Sequence, residues 1–222
     1  MSTRAILVRH GESVSNADPE MASLPLDQGD RLTERGREQA RRAADGLAEL
    51  EPTALLSSTM GRAIETAEII ADRIAMPIVE VPYITELRES RDYDSMSAEE
   101  QKLRRWSVWM REHGDDPDFS WHGGESFEQV RGRVRRLKDE LESEHEGGRP
   151  LVVTHGIFLR FFAFDSLLGD RFGPDQAGRL WRLRSLNCGV SVFEHGERWH
   201  RADAEMPGWT CISWMSRPWD PA

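Results

Sequence analysis

Cysteine is scarce in this chain: Cys188 and Cys211 are the only two, in no CxxC pair and with no cluster of metal-ligand spacing around them. That argues against a disulfide scaffold, points to a reducing compartment, and leads us to expect neither a metal nor another cofactor. No apolar run approaches the roughly 20 residues that span a bilayer, so no membrane partner is expected. The opening stretch from Met1 breaks after a few apolar residues into Arg9-His10-Gly11-Glu12. This is not the pattern of a secretory signal, and a cytoplasmic location is the expectation. Positive charge is outweighed, with 29 Lys and Arg against 39 Asp and Glu for a net charge of −10. A surface of that sign is a poor general binder of nucleic acid, so no nucleic-acid partner is expected. Repeats and low-complexity tracts are absent as well.

What is present fits a globular α/β protein. A length of 222 residues suits one sizeable domain, is tight for two, and buries enough surface to fold without a covalent staple. Hydrophobic residues at 38% and charged residues at 31% are somewhat polar, but too patterned for disorder. The expectation is a single domain over 1–222 with a Trp- and Pro-rich tail at about 203–222. Lysine stands only at Lys102 and Lys138, so the cations are almost all arginine. Arginine grips carboxylates and phosphates with two N–H groups at once. It also follows genome base composition, which accounts for most of these residues.

Short apolar runs alternate with helical patterns. Ala5–Val8, Ala54–Ser57, Pro77–Val81 and Leu151–Val153 read as strands. Thr33 caps a helix to about Leu50. Further helices are expected over Arg62–Ile74, Ala98–His113, Glu125 to the Gly147-Gly148 stop, Ile157–Leu168, and a short one near 174–181. Residues 17–31 read as loop, and Gly189–Glu194 with Trp199–Ala202 as a hairpin. The alternation predicts a three-layer α/β sandwich, a mostly parallel sheet flanked by helices, whose site lies at the strands' C-terminal ends. Arg9-His10-Gly11 and Thr154-His155-Gly156 both stand just past such ends.

Several blocks now line up in order. Arg9-His10-Gly11-Glu12-Ser13 with Asn16 comes first, then Leu32-Thr33-Glu34-Arg35-Gly36 through Ala40. Ser57-Ser58-Thr59-Met60-Gly61-Arg62-Ala63 through Ala67 follows. Then come Gly123-Gly124-Glu125-Ser126, Val153-Thr154-His155-Gly156 and Asn187-Cys188-Gly189. Together they resemble the histidine phosphatase superfamily, which holds the cofactor-dependent phosphoglycerate mutases and many phosphatases. Six blocks in order cover residues 4 to about 194 and are specific where one would be weak.

The chemistry agrees with the resemblance. A phosphomonoester is a dianion that hydrolyses very slowly unaided. Its cleavage needs a nucleophile, cationic donors around the phosphoryl oxygens and an acid for the leaving alkoxide. The resemblance implies that His10 becomes phosphohistidine, that Arg9 and Arg62 hold the phosphoryl oxygens, and that His155 donates to the developing charge. It adds Asn16 and Gly156 to the substrate site, although Asn16 by itself reads as a turn residue. Nearby arginines should also lower the pKa of His10. Asn187 reads as a loop residue bonding backbone. The general acid is Glu89, in a Leu87-Arg88-Glu89 context, with Glu86 as its rival. His113, His122, His145, His195 and His200 fit no block and read as surface.

After Glu89 the chain departs from the family: Ser90 to Met96 replaces a Gly-x-x-Glu-Gly stretch, and the proline run of the mutases is missing. With the chain's modest length, this favours a phosphatase acting on a small phosphorylated substrate. The alternatives are a phosphoglycerate mutase and a catalytically silent phospho-ligand binder. Arg88, Arg91, Arg104 and Arg105 stand either for a second anionic group or for a solvated face. The tail tryptophans either pack back onto the domain, or cover the site or a homo-oligomer contact.

Overall fold

Ala5 to Val8 offer no polar face to water, and the strand that contains them, β1 (Thr3–Arg9), is covered on both sides. In the computed structural model, which describes residues 2–18, 30–88, 112–113, 115–120, 123–196 and 208–217, β1 lies inside a six-stranded sheet. The other strands are β2 (Ala54–Ser58), β3 (Ile78–Val81), β4 (Pro150–Thr154), β5 (Val190–His195) and β6 (Trp209–Ser216). Their order is β3-β2-β4-β1-β5-β6; the first four run parallel, β5 runs antiparallel to β1, and β6 antiparallel to β5.

Successive strand residues point to opposite faces, and the sequence supplies apolar side chains to both. Ile6, Val8, Leu55, Leu151 and Val153 face one core, made with α2 (Glu34–Ala48) and α3 (Gly61–Ile74). Those helices present Ala40, Ala43, Ala44, Ala63 and Ala67, small residues that let them pack closely against the sheet. Ala5, Leu7, Leu56 and Val152 face the other core, built with α4 (Phe127–Ser143) and α5 (Gly156–Leu168). Each fully buried Leu or Phe there contributes about 1.5–3 kcal/mol of transfer free energy. Phe127, Phe161 and Phe172 stack edge-on or tilted with ring centres 4.8–5.3 Å apart. Between α4 and α5 the buried Asp165 accepts from Arg131 Nε at 3.0 Å and Lys138 Nζ at 2.6 Å.

The sequence reading needs correction in four places. Val14–Ala17 forms a short helix, α1, just before the expected loop takes over. The helix expected from Glu125 starts at Phe127, because Ser126 is the cap, accepting from Gln129 N at 3.1 Å. The short helix near 174 is a 3-10 helix over Pro174–Arg182. The expected second hairpin arm, Trp199–Ala202, lies outside the described residues; β5 pairs with β1 on one side and with β6 on the other. The middle of the expected tail is therefore an edge strand. Its Trp209 is buried and donates Nε1 to Glu142 Oε1 at 2.7 Å. The expected helix Ala98–His113 falls outside the described residues apart from Glu112 and His113.

Candidate active site

The sheet's register brings the two histidine motifs together. Arg9 at the end of β1 pairs with Thr154 at the end of β4, and β4 pairs on its other side with β2. His10, His155 and the β2 end leading to Arg62 therefore emerge side by side. The His10 and His155 rings lie 5.1 Å apart, centre to centre.

The loop after β1 is held from every side. His10 N donates to Thr154 O at 3.0 Å and Gly11 N to Thr66 Oγ1 at 3.0 Å. Glu12 O accepts from Thr33 N at 2.9 Å, and Thr33 Oγ1 caps α2 by accepting from Gly36 N at 3.0 Å. On the far side Cys188 N donates to Arg9 O at 3.0 Å and Asn187 Nδ2 to His10 O at 3.2 Å. The Leu32-Thr33 and Asn187-Cys188 blocks thus fasten the loop by backbone bonds, the role expected for Asn187. Burial pushes the Cys188 thiol up to about 12, so it stays protonated.

His10 is only 2% exposed, and its partners fix its tautomer. Nδ1 lies 2.7 Å from Gly11 O, a carbonyl that only accepts, so Nδ1 carries the proton. Nε2 lies 3.1 Å from Arg62 Nε, a guanidinium that only donates, so Nε2 keeps its lone pair. Burial first, then the charges of Arg62 and Arg9, hold its pKa well below the usual histidine range. His155 is fully buried, and its pKa is lowered in the same way by burial and by His10, Arg62 and Arg9. Its Nε2 lies 2.7 Å from Ser58 Oγ.

The remaining expected site residues sit around this pair. Arg9 donates Nη1 to Ser185 O at 2.9 Å and Nη2 to Asn16 Oδ1 at 3.3 Å. Asn16 Oδ1 also accepts from Asn187 Nδ2 at 3.0 Å, so the two asparagines and Arg9 form one set. Gly156 opens α5 against Arg9; a Cβ there would stand 3.4 Å from Arg9 Nε and 3.1 Å from Ser185 Oγ. Glu89 lies outside the described residues. Its rival Glu86 accepts from Ile157 N with both oxygens at 3.2 Å, capping the N-terminus of α5. Glu125 and Arg133 anchor the loop that carries Glu86. Arg133 holds Glu125 with Nε and Nη2 at 2.9 Å, and donates to Tyr83 O and Thr85 O. Glu125 then accepts from Arg88 N at 2.9 Å.

Two residues were missed in the sequence. Asp30 forms a close ion pair with Arg62 Nη1 and accepts from Gly61 N at 2.6 Å. It stands two residues before Leu32 in a stretch that reads only as polar loop. Ser58 lies within a quoted block, yet nothing in the pattern gave it a role. Among the described residues no three His, Cys, Asp or Glu side chains are grouped to hold a metal ion, and no helix is long and apolar enough to cross a membrane.

The chain is similar to known proteins over most of its length. The family model described as histidine phosphatase superfamily (branch 1) matches residues 5–204. A protein of Erwinia tasmaniensis described as probable phosphoglycerate mutase GpmB is 38% identical over 194 residues, covering 85% of this chain and 83% of its own. An Escherichia coli O1:K1 protein of the same description is 35% identical, covering 86% and 84%. Among solved structures, mycobacterial glucosyl-3-phosphoglycerate phosphatase complexed with VO3 superposes with a TM-score of 0.72 at 24% identity, covering 97% of this chain and 100% of its own. Phosphoserine phosphatase from Entamoeba histolytica, in complex with 3-phosphoglyceric acid, gives 0.72 at 20% identity, covering 98% of each. At these identities the solved structures speak for the fold.

Proposed function

We propose, from the premise that this chain belongs to branch 1 of the histidine phosphatase superfamily, that it hydrolyses a small phosphomonoester through a phosphohistidine on His10. The observation that carries this reading is the state of His10: buried, proton on Nδ1, and a lone pair on Nε2 facing Arg62 Nε at 3.1 Å. A neutral imidazole so placed is a phosphoryl acceptor at neutral pH.

In the first step the Nε2 lone pair forms an N–P bond as the P–O ester bond breaks. Glu89 gives its proton to the leaving alkoxide. In the second step Glu89, now a carboxylate, takes a proton from water, whose oxygen bonds to phosphorus. The N–P bond breaks, its electrons return to Nε2, and orthophosphate leaves. Arg9, Arg62 and His155 stabilise the charge in both steps, Asn16 orients Arg9, and Gly156 lets the arginine approach. Glu89 is preferred to Glu86 because the Glu86 oxygens are engaged by the N-terminus of α5. No metal takes part in this scheme. A cytoplasmic setting accords with the free thiols Cys188 and Cys211.

A second reading, a phosphoglycerate mutase, is favoured by the descriptions of the relatives at 35–38% identity. It keeps the same phosphohistidine but passes the group to a second hydroxyl instead of water.

The test is phosphate release from a panel of phosphomonoesters, 3-phosphoglycerate included, in excess chelator, beside His10→Ala. Release that persists in chelator and vanishes in the variant is the expected result. Isomerisation of 3-phosphoglycerate without release selects the mutase. Binding without turnover selects a silent member. Undiminished release by His10→Ala overturns the mechanism.

A further inference from the structure

Every buried hydroxyl must place its single proton, and the surroundings of Ser58 leave one place for it. Ser58 is fully buried at the end of β2. Its Oγ accepts from Met60 N at 3.3 Å, a backbone group that only donates. The neighbouring Ser57 hydroxyl is spent on Ser58 O at 3.0 Å, so it asks nothing of Ser58 Oγ. Among the described residues the one remaining partner of Ser58 Oγ is His155 Nε2, at 2.7 Å. A hydroxyl that already accepts from a backbone N–H satisfies its own proton only by donating to that nitrogen.

The imidazole then has no choice. The pKa of His155 is held well below the usual histidine range, first by burial and then by the neighbouring His10 and arginines, so the ring is neutral and carries one N–H. With Nε2 accepting from Ser58, that proton sits on Nδ1. Among the described residues Nδ1 is buried without a hydrogen-bond partner, on a ring 5.1 Å from the His10 ring. A buried N–H left without a partner is costly. An anion bound between the histidines would satisfy it.

We infer that Ser58 is a positioning residue: it fixes His155 as the Nδ1–H tautomer and keeps that proton aimed at the phosphoryl group. The inference rests on the phosphatase reading for its catalytic consequence, but not for the tautomer. In the opposite tautomer Nδ1 would present a lone pair to the phosphoryl oxygens and repel them. Ser58 thus does for His155 what the Gly11 carbonyl does for His10: each sets from behind which nitrogen meets the substrate.

The experiment reads the tautomer directly. Long-range proton–nitrogen correlation NMR on the wild-type chain with 15N-labelled histidine, assigned with His155→Gln, reports which ring nitrogen bears hydrogen. The expected spectrum has His155 protonated at Nδ1, with Nε2 unprotonated and hydrogen-bonded. A proton on Nε2 overturns the inference, whatever the chain is found to catalyse. In Ser58→Ala the second tautomer should appear, and kcat should fall by about 10- to 100-fold, the usual cost of losing a partner that orients a functional histidine, with KM changed far less. A Ser58→Ala enzyme with the wild-type tautomer and kcat also refutes it. Wild-type chain that releases no phosphate, yet shows Nδ1–H, refutes the phosphatase reading alone.

Discussion

The guanidinium of Arg62 faces two ways. Its Nε meets the His10 lone pair, and its Nη1 is gripped by Asp30, whose other oxygen accepts from Gly61 N. Both partners are largely buried, with side-chain exposures of 11% and 15%. A hydrogen bond between charged groups in such a place is worth about 1.5–3 kcal/mol, or roughly 10- to 100-fold in rate if Arg62 drifts when it is lost. Asp30→Asn keeps an acceptor for Gly61 N but loses the ion pair, so kcat/KM for the best substrate should fall by about that factor. An unchanged or higher kcat/KM would mean that Asp30 does not set the position of Arg62. At this scale legibility followed company. His10, Arg9, Arg62 and His155 each stand in a block of recognisable neighbours. Asp30 is one acid in a polar loop, and its partner is distant in sequence, so no local pattern announces it.

Among the elements, α2 and the His10 loop meet backbone to backbone. A Cβ on Gly36 would stand 2.1 Å from Glu12 O, and one on Gly11 would stand 2.5 Å from Gly36 O. Backbone meets backbone there, so neither side can yield by turning a side chain. Gly36→Ala should cost about 1–3 kcal/mol or more through forced displacement, lowering Tm by about 2–12 °C for a chain of this size. Because the displaced segment carries His10, activity at temperatures well below Tm should fall too. Thermal scans beside turnover check both, and a variant that matches wild type in each would show that the loop is free to move. Most elements could be read from the sequence because hydrophobic period and caps agreed, as with Thr33 and α2. The last hairpin arm could not. Trp199–Ala202 and Trp209–Ser216 both begin on a tryptophan among polar residues, and an edge strand has no clean apolar pattern to mark it.

For the whole molecule, sheet order decides where chemistry can occur. The sequence motifs name two strand ends, but only the order β2-β4-β1 makes them neighbours. All three of these strands are buried on both faces. The same burial makes stability depend on pH. His10 and His155 both have folded pKa values well below 6.5, their unfolded value. Above about pH 6.5 neither state binds the protons, and the histidines leave stability unchanged. As pH falls below that value the unfolded chain takes up protons that the folded chain refuses. Stability then drops by up to about 1.4 kcal/mol per pH unit for each histidine, until the lowered folded pKa is reached. Urea midpoints between pH 7.5 and 5 should fall more steeply for wild type than for a His10→Gln, His155→Gln double variant. Parallel curves would contradict the buried, neutral state of the pair.

Phosphatase chemistry on this site requires a covalent bond to one nitrogen, Nε2 of His10. The direct measurement mixes the chain with its best substrate carrying radiolabelled phosphate, quenches within milliseconds under alkaline conditions, and maps the label by peptide. The label should lie on the peptide carrying His10, survive alkali, be lost in acid, and be missing from His10→Ala. Full turnover with no label on His10, or a label on another residue, would contradict it.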